Sequence, residues 1–293
     1  MGYIKSPAEC TGSVCAIGQG KSQAMLGRSL YQGVLAGAYI GLGGILAIKV
    51  AAGMPFEYWG NIQKLVFGAL FPVGLLLVLL TGGDLFTGNC MYMPSAVATR
   101  KCGLTGLLRN WGTSYGSNFV GGLLVAYFLG LAAGIFFDRI DGAMPLANYA
   151  VNLANAKCSL PWEVAFIRGV GCNWLVCLAI FISLAAPDAV SKVVLIWPPV
   201  TAFVALGFEH SVANMTFIPL GIFLGESQAY LNSVDPLPLT ATWSSMLFNN
   251  LIPVTLGNIA GGGLLALMVR AYPAAGAVQT GADKAMDKGT AVL

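Results

Sequence analysis

From Leu65 to Gly83 the chain carries no charged side chain and almost no polar one. A run of roughly 20 such residues is long enough to cross the ~30 Å apolar core of a bilayer, and the chain holds several. Of its 293 residues, 57% are hydrophobic and 9% are charged, where a soluble domain carries about 25% charged residues. There are too few charges to coat a water-facing surface. Inside a bilayer every backbone polar group must find a partner in the protein, and a helix supplies those partners within one segment. The expected fold is therefore an all-α, multi-pass membrane protein.

Six crossings can be placed: about Leu30 to Val50, near Leu65 to Ala98, Leu107 to Phe137, Val164 to Ala185, Val193 to Leu224, and Leu247 to Val269. They divide the chain into an N-terminal segment (1–29), a transmembrane pore domain (30–270) and a tail (271–293), whose Lys284 and Lys288 read as a solvated end. Placing both termini inside puts ten Lys and Arg on the cytoplasmic side and five on the outer side, the bias the positive-inside rule favours. Residues 1–21 lack the compact apolar core of a signal peptide. A cell (inner) membrane location with both termini cytoplasmic is expected.

The second and fifth crossings are interrupted by similar stretches. "DLFTGN" (Asp84–Asn89) and "EHSVAN" (Glu209–Asn214) each start with an acid and reach an asparagine five residues later. The following span of each half matches as well, with "NFVGG" (Asn118–Gly122) and "NIAGG" (Asn258–Gly262). Two such pairs in the same order indicate an internal duplication. With three spans per half, the second half enters from the opposite side, giving an inverted 3+3 repeat whose broken helices meet near the midplane. Backbone groups freed at membrane depth need protein partners or a watery cavity, so two breaks point to a transport path. Two Gly-rich kinks without cargo are the bland alternative.

Charged residues inside spans are costly and mark function. Asp84 and Glu209 begin the breaks, where a carboxylate can accept from freed N–H groups; loop shaping is favoured over proton relay, with Asn89 and Asn214 at the far ends of the loops. His210 is the chain's one histidine. By itself a lone histidine in an apolar span reads as a hydrogen-bonded core residue, but here it sits in the break with Thr87 and Asn214 as available partners. A buried ring is expected to be neutral at rest. Half-helices restarting after each break would direct partial positive charge inward, and a small anion suits that field. Carrying a bare anion through a dry constriction costs several kcal/mol or more. A weak acid with an aqueous pKa of about 4 could cross after taking a proton, whereas chloride could not.

Other functions find less support. The net charge of +3 and the scattered basic residues do not suggest nucleic acid. The seven cysteines show no CxxC and no zinc spacing, and one histidine cannot provide bis-histidine haem ligation. No metal, cofactor or enzymatic activity is expected. A water or glycerol channel would share the broken-helix architecture, but its Asn-Pro-Ala pairs are missing.

The motifs "GGDLFTGN" (Gly82–Asn89), "CNWLVCLAIF" (Cys172–Phe181), "GFEHSVANM" (Gly207–Met215) and "NNLIPVTLGNIAGGG" (Asn249–Gly263) resemble, in order, those of the formate/nitrite transporter family. The resemblance covers about Leu30 to Arg270. It implies a homopentamer in the bilayer, each protomer an aquaporin-like six-helix pore. Carried over by position, the central histidine is His210 and its loop partner Thr87, the pore-lining asparagines are Asn173 and Asn258, and the anion-attracting vestibule cation is Lys157. The outer constriction would be Phe71, Phe86 and Phe203, and the inner slit Leu75, Leu85 and Val176. Taken alone, such aromatic and aliphatic positions read as plain core. The expected activity is passage of a small weak-acid anion with proton coupling. "FIPLGIF" and "NLIPVTLGN" resemble the formate branch; "CNWLVCLAI" and "EHSVANMT" suit nitrite carriers equally well. Formate leads, with nitrite, hydrosulfide or short carboxylates as alternatives.

Overall fold

The computed structural model describes residues 3–273, which are mostly helical with no β-strand among them. Lys284, Lys288 and most of the expected tail lie outside the described residues. Ten longer helices organise the rest. α1 is Pro7–Gln23 and α2 is Leu26–Ala51, so the first apolar helix starts earlier than expected. α3 spans Asn61–Thr81. Proline lacks the N–H that would continue the ladder, and Pro72 divides α3 into Asn61–Leu70 and Pro72–Thr81 at Phe71. α4 is Phe86–Ala98, α5 Leu104–Ala132, α6 Pro145–Cys158 and α7 Trp162–Ser183. α8 is Ala189–Ala205, α9 Ser211–Glu226 and α10 Ile252–Ala266, entered through a π-helical stretch Met246–Leu251.

α2, α3, α5 and α7 are each long and apolar enough to cross a membrane. α8 and α9 are apolar but shorter. Between α3 and α4, and again between α8 and α9, a few non-helical residues replace a helical turn. Each interruption opens on a glycine in the left-handed region, Gly82 (φ 79°) and Gly207 (φ 72°), where a Cβ would collide with the carbonyl.

Packing follows a matched plan in the two halves. α2 lies along α5, and α7 along α10. Backbones come close in both pairs: a Cβ added to Gly121 would sit 2.0 Å from the Val34 carbonyl oxygen, and one on Gly261 would sit 2.3 Å from that of Val170. α1 and α6 were not anticipated as helices. α1 packs on α4 and α6 on α9. A capping box between Ser6 and Glu9 starts α1, satisfying two of its free N–H groups.

Candidate functional site

The two interruptions are tied down by nearly superposable sets of hydrogen bonds. In the first, the Asn118 side-chain amide donates to the carbonyls of Gly33 (2.8 Å) and Asp84 (2.9 Å), and its oxygen accepts from the Phe86 N–H (2.8 Å). In the second, Asn258 donates to Gly169 (2.8 Å) and Glu209 (2.9 Å) and accepts from the Ser211 N–H (2.9 Å). The backbone N–H of Asp84 donates to Gln32, and that of Glu209 to Arg168. One fully buried asparagine thus holds each loop on three sides, which offsets the cost of freed backbone groups.

The acids anchor a second matched cluster. Asp84 accepts from Asn89 (2.8 Å) and Asn110 (3.2 Å) and pairs with Lys21. Glu209 accepts from Asn214 (2.6 Å) and Asn250 (3.2 Å) and pairs with Lys157 at 2.8 Å. Each ammonium also lies near an aromatic ring, Lys21 at 5.8 Å from the centroid of Tyr92 and Lys157 at 5.6 Å from that of Phe217. Both acids are buried, and a buried carboxylate requires a partner and several donors. Each has them.

At the apex of the loops the pattern diverges. Counting from the acids, Leu85, Phe86 and Thr87 stand where the second half has His210, Ser211 and Val212. The divergence brings the Thr87 hydroxyl 3.0 Å from Nε2 of His210. On its other side the ring caps α9, its Nδ1 accepting from the Ala213 N–H at 3.0 Å. A nitrogen that accepts carries no proton, so in the neutral ring the proton resides on Nε2 and points at Thr87 Oγ1. The threonine's own O–H is then free to donate.

His210 lies at the base of a cavity of about 370 Å³ that also takes in Phe71, Phe203, Lys157, Glu209, Arg168 and Lys64. Phe203 stacks on the imidazole, with centroids 6.0 Å apart and planes at 22°, and Phe71 meets Phe203 edge-on at 5.9 Å. Three cations and one carboxylate face the cavity, so its field favours anions.

A profile described as formate/nitrite transporter matches residues 8–272. The chain belongs to the formate/nitrite transporter family. It is 47% identical over 276 residues to a probable formate transporter of Methanothermobacter thermautotrophicus, covering 89% of this chain and 94% of that one. It is 38% identical over 256 residues to a formate channel of Bacillus thuringiensis, covering 87% and 90%. A solved structure described as a pentameric formate channel with formate bound superposes with a TM-score of 0.73 at 31% identity, covering 84% of this chain and 96% of that chain. Members of this family are channels and transporters, not enzymes, and this one is accordingly a multi-pass membrane transport protein.

In this transporter His210, Lys157, Phe71 and Phe203 line one cavity, and Thr87 meets the His210 ring. Leu75, Leu85 and Val176 are all buried in the same core. The other expected site residues are placed as follows. Phe86 packs on Tyr115 (4.8 Å) and Trp111 (6.1 Å) of α5, not with Phe71 and Phe203. Asn173 and Asn258 are fully buried, and Asn173 spends its amide on the Thr87 and Asn258 carbonyls at 3.0 and 2.6 Å. Asn214 serves Glu209 and Asn250 (2.7 Å), not His210.

Sequence reasoning missed Lys21, Asn110 and Asn250. The two asparagines stand eight residues before Asn118 and Asn258 respectively, a spacing that was readable. Lys21 was not, because it reaches Asp84 only through the docking of α1 on α4.

Proposed function

We propose that this protein passes formate across the cell membrane as the transiently protonated acid, each protomer of a homopentamer carrying its own pore. The observation that carries the reading is the Thr87–His210 contact, with the His210 ring lining a cation-lined cavity. The matched anchoring of Asp84 and Glu209 supports an inverted 3+3 repeat whose second and fifth crossings are broken. In that arrangement Lys157 faces outward, Lys21 faces the cytoplasm with both termini, and residues 30–270 form the pore domain.

The vestibule concentrates formate near Lys157, Arg168 and Lys64. As the anion approaches Phe71 and Phe203 it loses water, and a desolvated carboxylate binds a proton more strongly. We assign that proton to vestibule water. His210 could supply one only as an imidazolium, and a second ring proton would displace the Ala213 N–H from Nδ1 and uncap α9. Thr87 donates to the acid while His210 holds the threonine oxygen in place. Neutral formic acid then passes Leu75, Leu85 and Val176 and reionises beyond them, so one proton crosses with each formate. Asp84, Glu209, Asn89 and Asn214 keep the loops in shape, and Asn173 and Asn258 hold the backbone on which Thr87 and Ser211 stand.

Stopped-flow uptake into proteoliposomes across a pH gradient tests the reading, with formate, nitrite, acetate and lactate compared. Saturable formate uptake that speeds up with outside acidity is expected. Saturation by nitrite with none by formate would reassign the cargo, and swelling indifferent to any anion would remove the mechanism.

A further inference from the structure

The cavity above His210 is far larger than formate needs. At about 30 Å³ of liquid volume per water, its 370 Å³ exceeds the requirement of a three-heavy-atom anion several times over. It falls in the range of ligand pockets that take whole organic molecules. Its walls also offer more than charge attraction. Besides the constriction rings, Phe67, Tyr149, Phe208 and Phe217 face it, and Tyr149 and Phe208 are half-buried, with ring surface left uncovered. Formate has no apolar surface to place against them.

We propose that this vestibule is a binding site for aromatic monoanions, which dock without permeating and compete with the transported acid. The inference rests on the proposed function only for the word compete; the binding site itself stands on the cavity. Lys157 is paired with Glu209, whereas Arg168 and Lys64 have no carboxylate partner among the described residues. Either can receive the anionic group at the rim. The ring is then placed against Tyr149 on α6 and Phe208 in the second interruption, both of which line the cavity. Edge and face contacts with both rings add to the apolar burial. Phe71 and Phe203, edge-on at 5.9 Å, leave no room for a ring to descend to Thr87. The ligand stays above the constriction.

Benzenesulfonate and methanesulfonate separate the contribution of the ring from that of charge, since both stay ionised and neither can cross as a neutral acid. In calorimetric titration of the purified protein, benzenesulfonate is expected to bind at least about tenfold more tightly than methanesulfonate. Tyr149→Ala and Phe208→Ala are each expected to cancel most of that preference. In proteoliposomes with the sulfonate on both sides, so that orientation does not enter, benzenesulfonate is expected to raise the apparent KM for formate and leave the maximal rate unchanged. Equal binding of the two sulfonates overturns the site, as does a ring preference that survives both substitutions. Binding without inhibition overturns the competition. If the ring preference holds but the protein moves no formate, the proposed cargo is wrong and the aromatic site stands.

Discussion

Thr87 and His210, separated by 123 residues in the chain, meet with oxygen and nitrogen 3.0 Å apart at the apex of two loops that are otherwise anchored alike. The matched asparagines and acids fix the backbone of each loop, and the loops then differ where they face one another. Because Nδ1 of His210 is committed to the Ala213 N–H, the proton on Nε2 is committed to Thr87, and a hydroxyl hydrogen is what the pair can offer a passing acid. In the proposed function, positioning and donation are divided between the two residues.

Asparagine can make both contacts of His210, its oxygen capping α9 and its amide donating to Thr87. His210→Asn is therefore expected to keep formate uptake within a few-fold of wild type. His210→Phe loses the cap, which costs about 0.5–2 kcal/mol, and leaves Thr87 unheld. Its uptake, measured by stopped flow, should fall at least about tenfold for a barrier raised by ~1.4 kcal/mol.

Thr87→Ser should be nearly silent, since the hydroxyl remains. Thr87→Val buries the Nε2–H without an acceptor, at a cost of about 1–3 kcal/mol, and removes the donor to the acid. Slower uptake in valine with normal uptake in serine is the expected pair of results. Equal rates in both variants would detach the hydroxyl from the mechanism.

Removing Lys157 alone strands the buried Glu209 carboxylate, a change that costs about 3–5 kcal/mol. Lys157→Met should lower both thermal stability and yield. Adding Glu209→Gln should restore the melting temperature, since the amide keeps hydrogen-bonding capacity without charge. The double variant should still show a raised KM for formate, because the vestibule has lost a cation.

Asn118→Leu and Asn258→Leu each remove three hydrogen bonds to buried backbone. At about 1–3 kcal/mol for each group left unsatisfied, either variant should fail to assemble or melt well below wild type. The losses should be similar for the two, because the geometries are. A leucine tolerated at one position and lethal at the other would show that the two loops are not equivalent supports.

Uptake rate should follow external proton concentration. Above the pKa of a carboxylic acid near 4, each pH unit changes the protonated fraction about tenfold, so initial rates should rise steeply as the outside is acidified. His210→Asn should show the same slope, since the proton comes from water. A slope that flattens only in that variant would return proton donation to the histidine.

Part of the site was legible because it is local. Asp84 with Asn89, and Glu209 with Asn214, lie five residues apart and bond across the start of the following helix, so short-range spacing described that pair in each half but not the cations and further asparagines that complete it. His210 stood out for a similar reason, as a polar side chain in an apolar run. What was not legible concerns direction. Phe86 is one residue from Thr87, yet its ring turns to Tyr115 and Trp111, and nothing in a one-dimensional pattern says which way a side chain leaves an irregular loop. Asn173 and Asn258 were polar in apolar helices, but whether such a group faces a path or a carbonyl depends on what packs opposite.

Solvent decided the rest of the division. A chain this poor in charge had to leave water, and its long uncharged runs suit helices that satisfy their own backbone, so the membrane class and the helical fold followed from the order of residues. Lys21 beside Asp84, the three-sided grip of Asn118 and Asn258, and the tautomer of His210 depend on groups that touch only after α1, α5, α9 and α10 have packed. Those contacts are long-range, directional and effective over a few ångströms, and the sequence carries no distance.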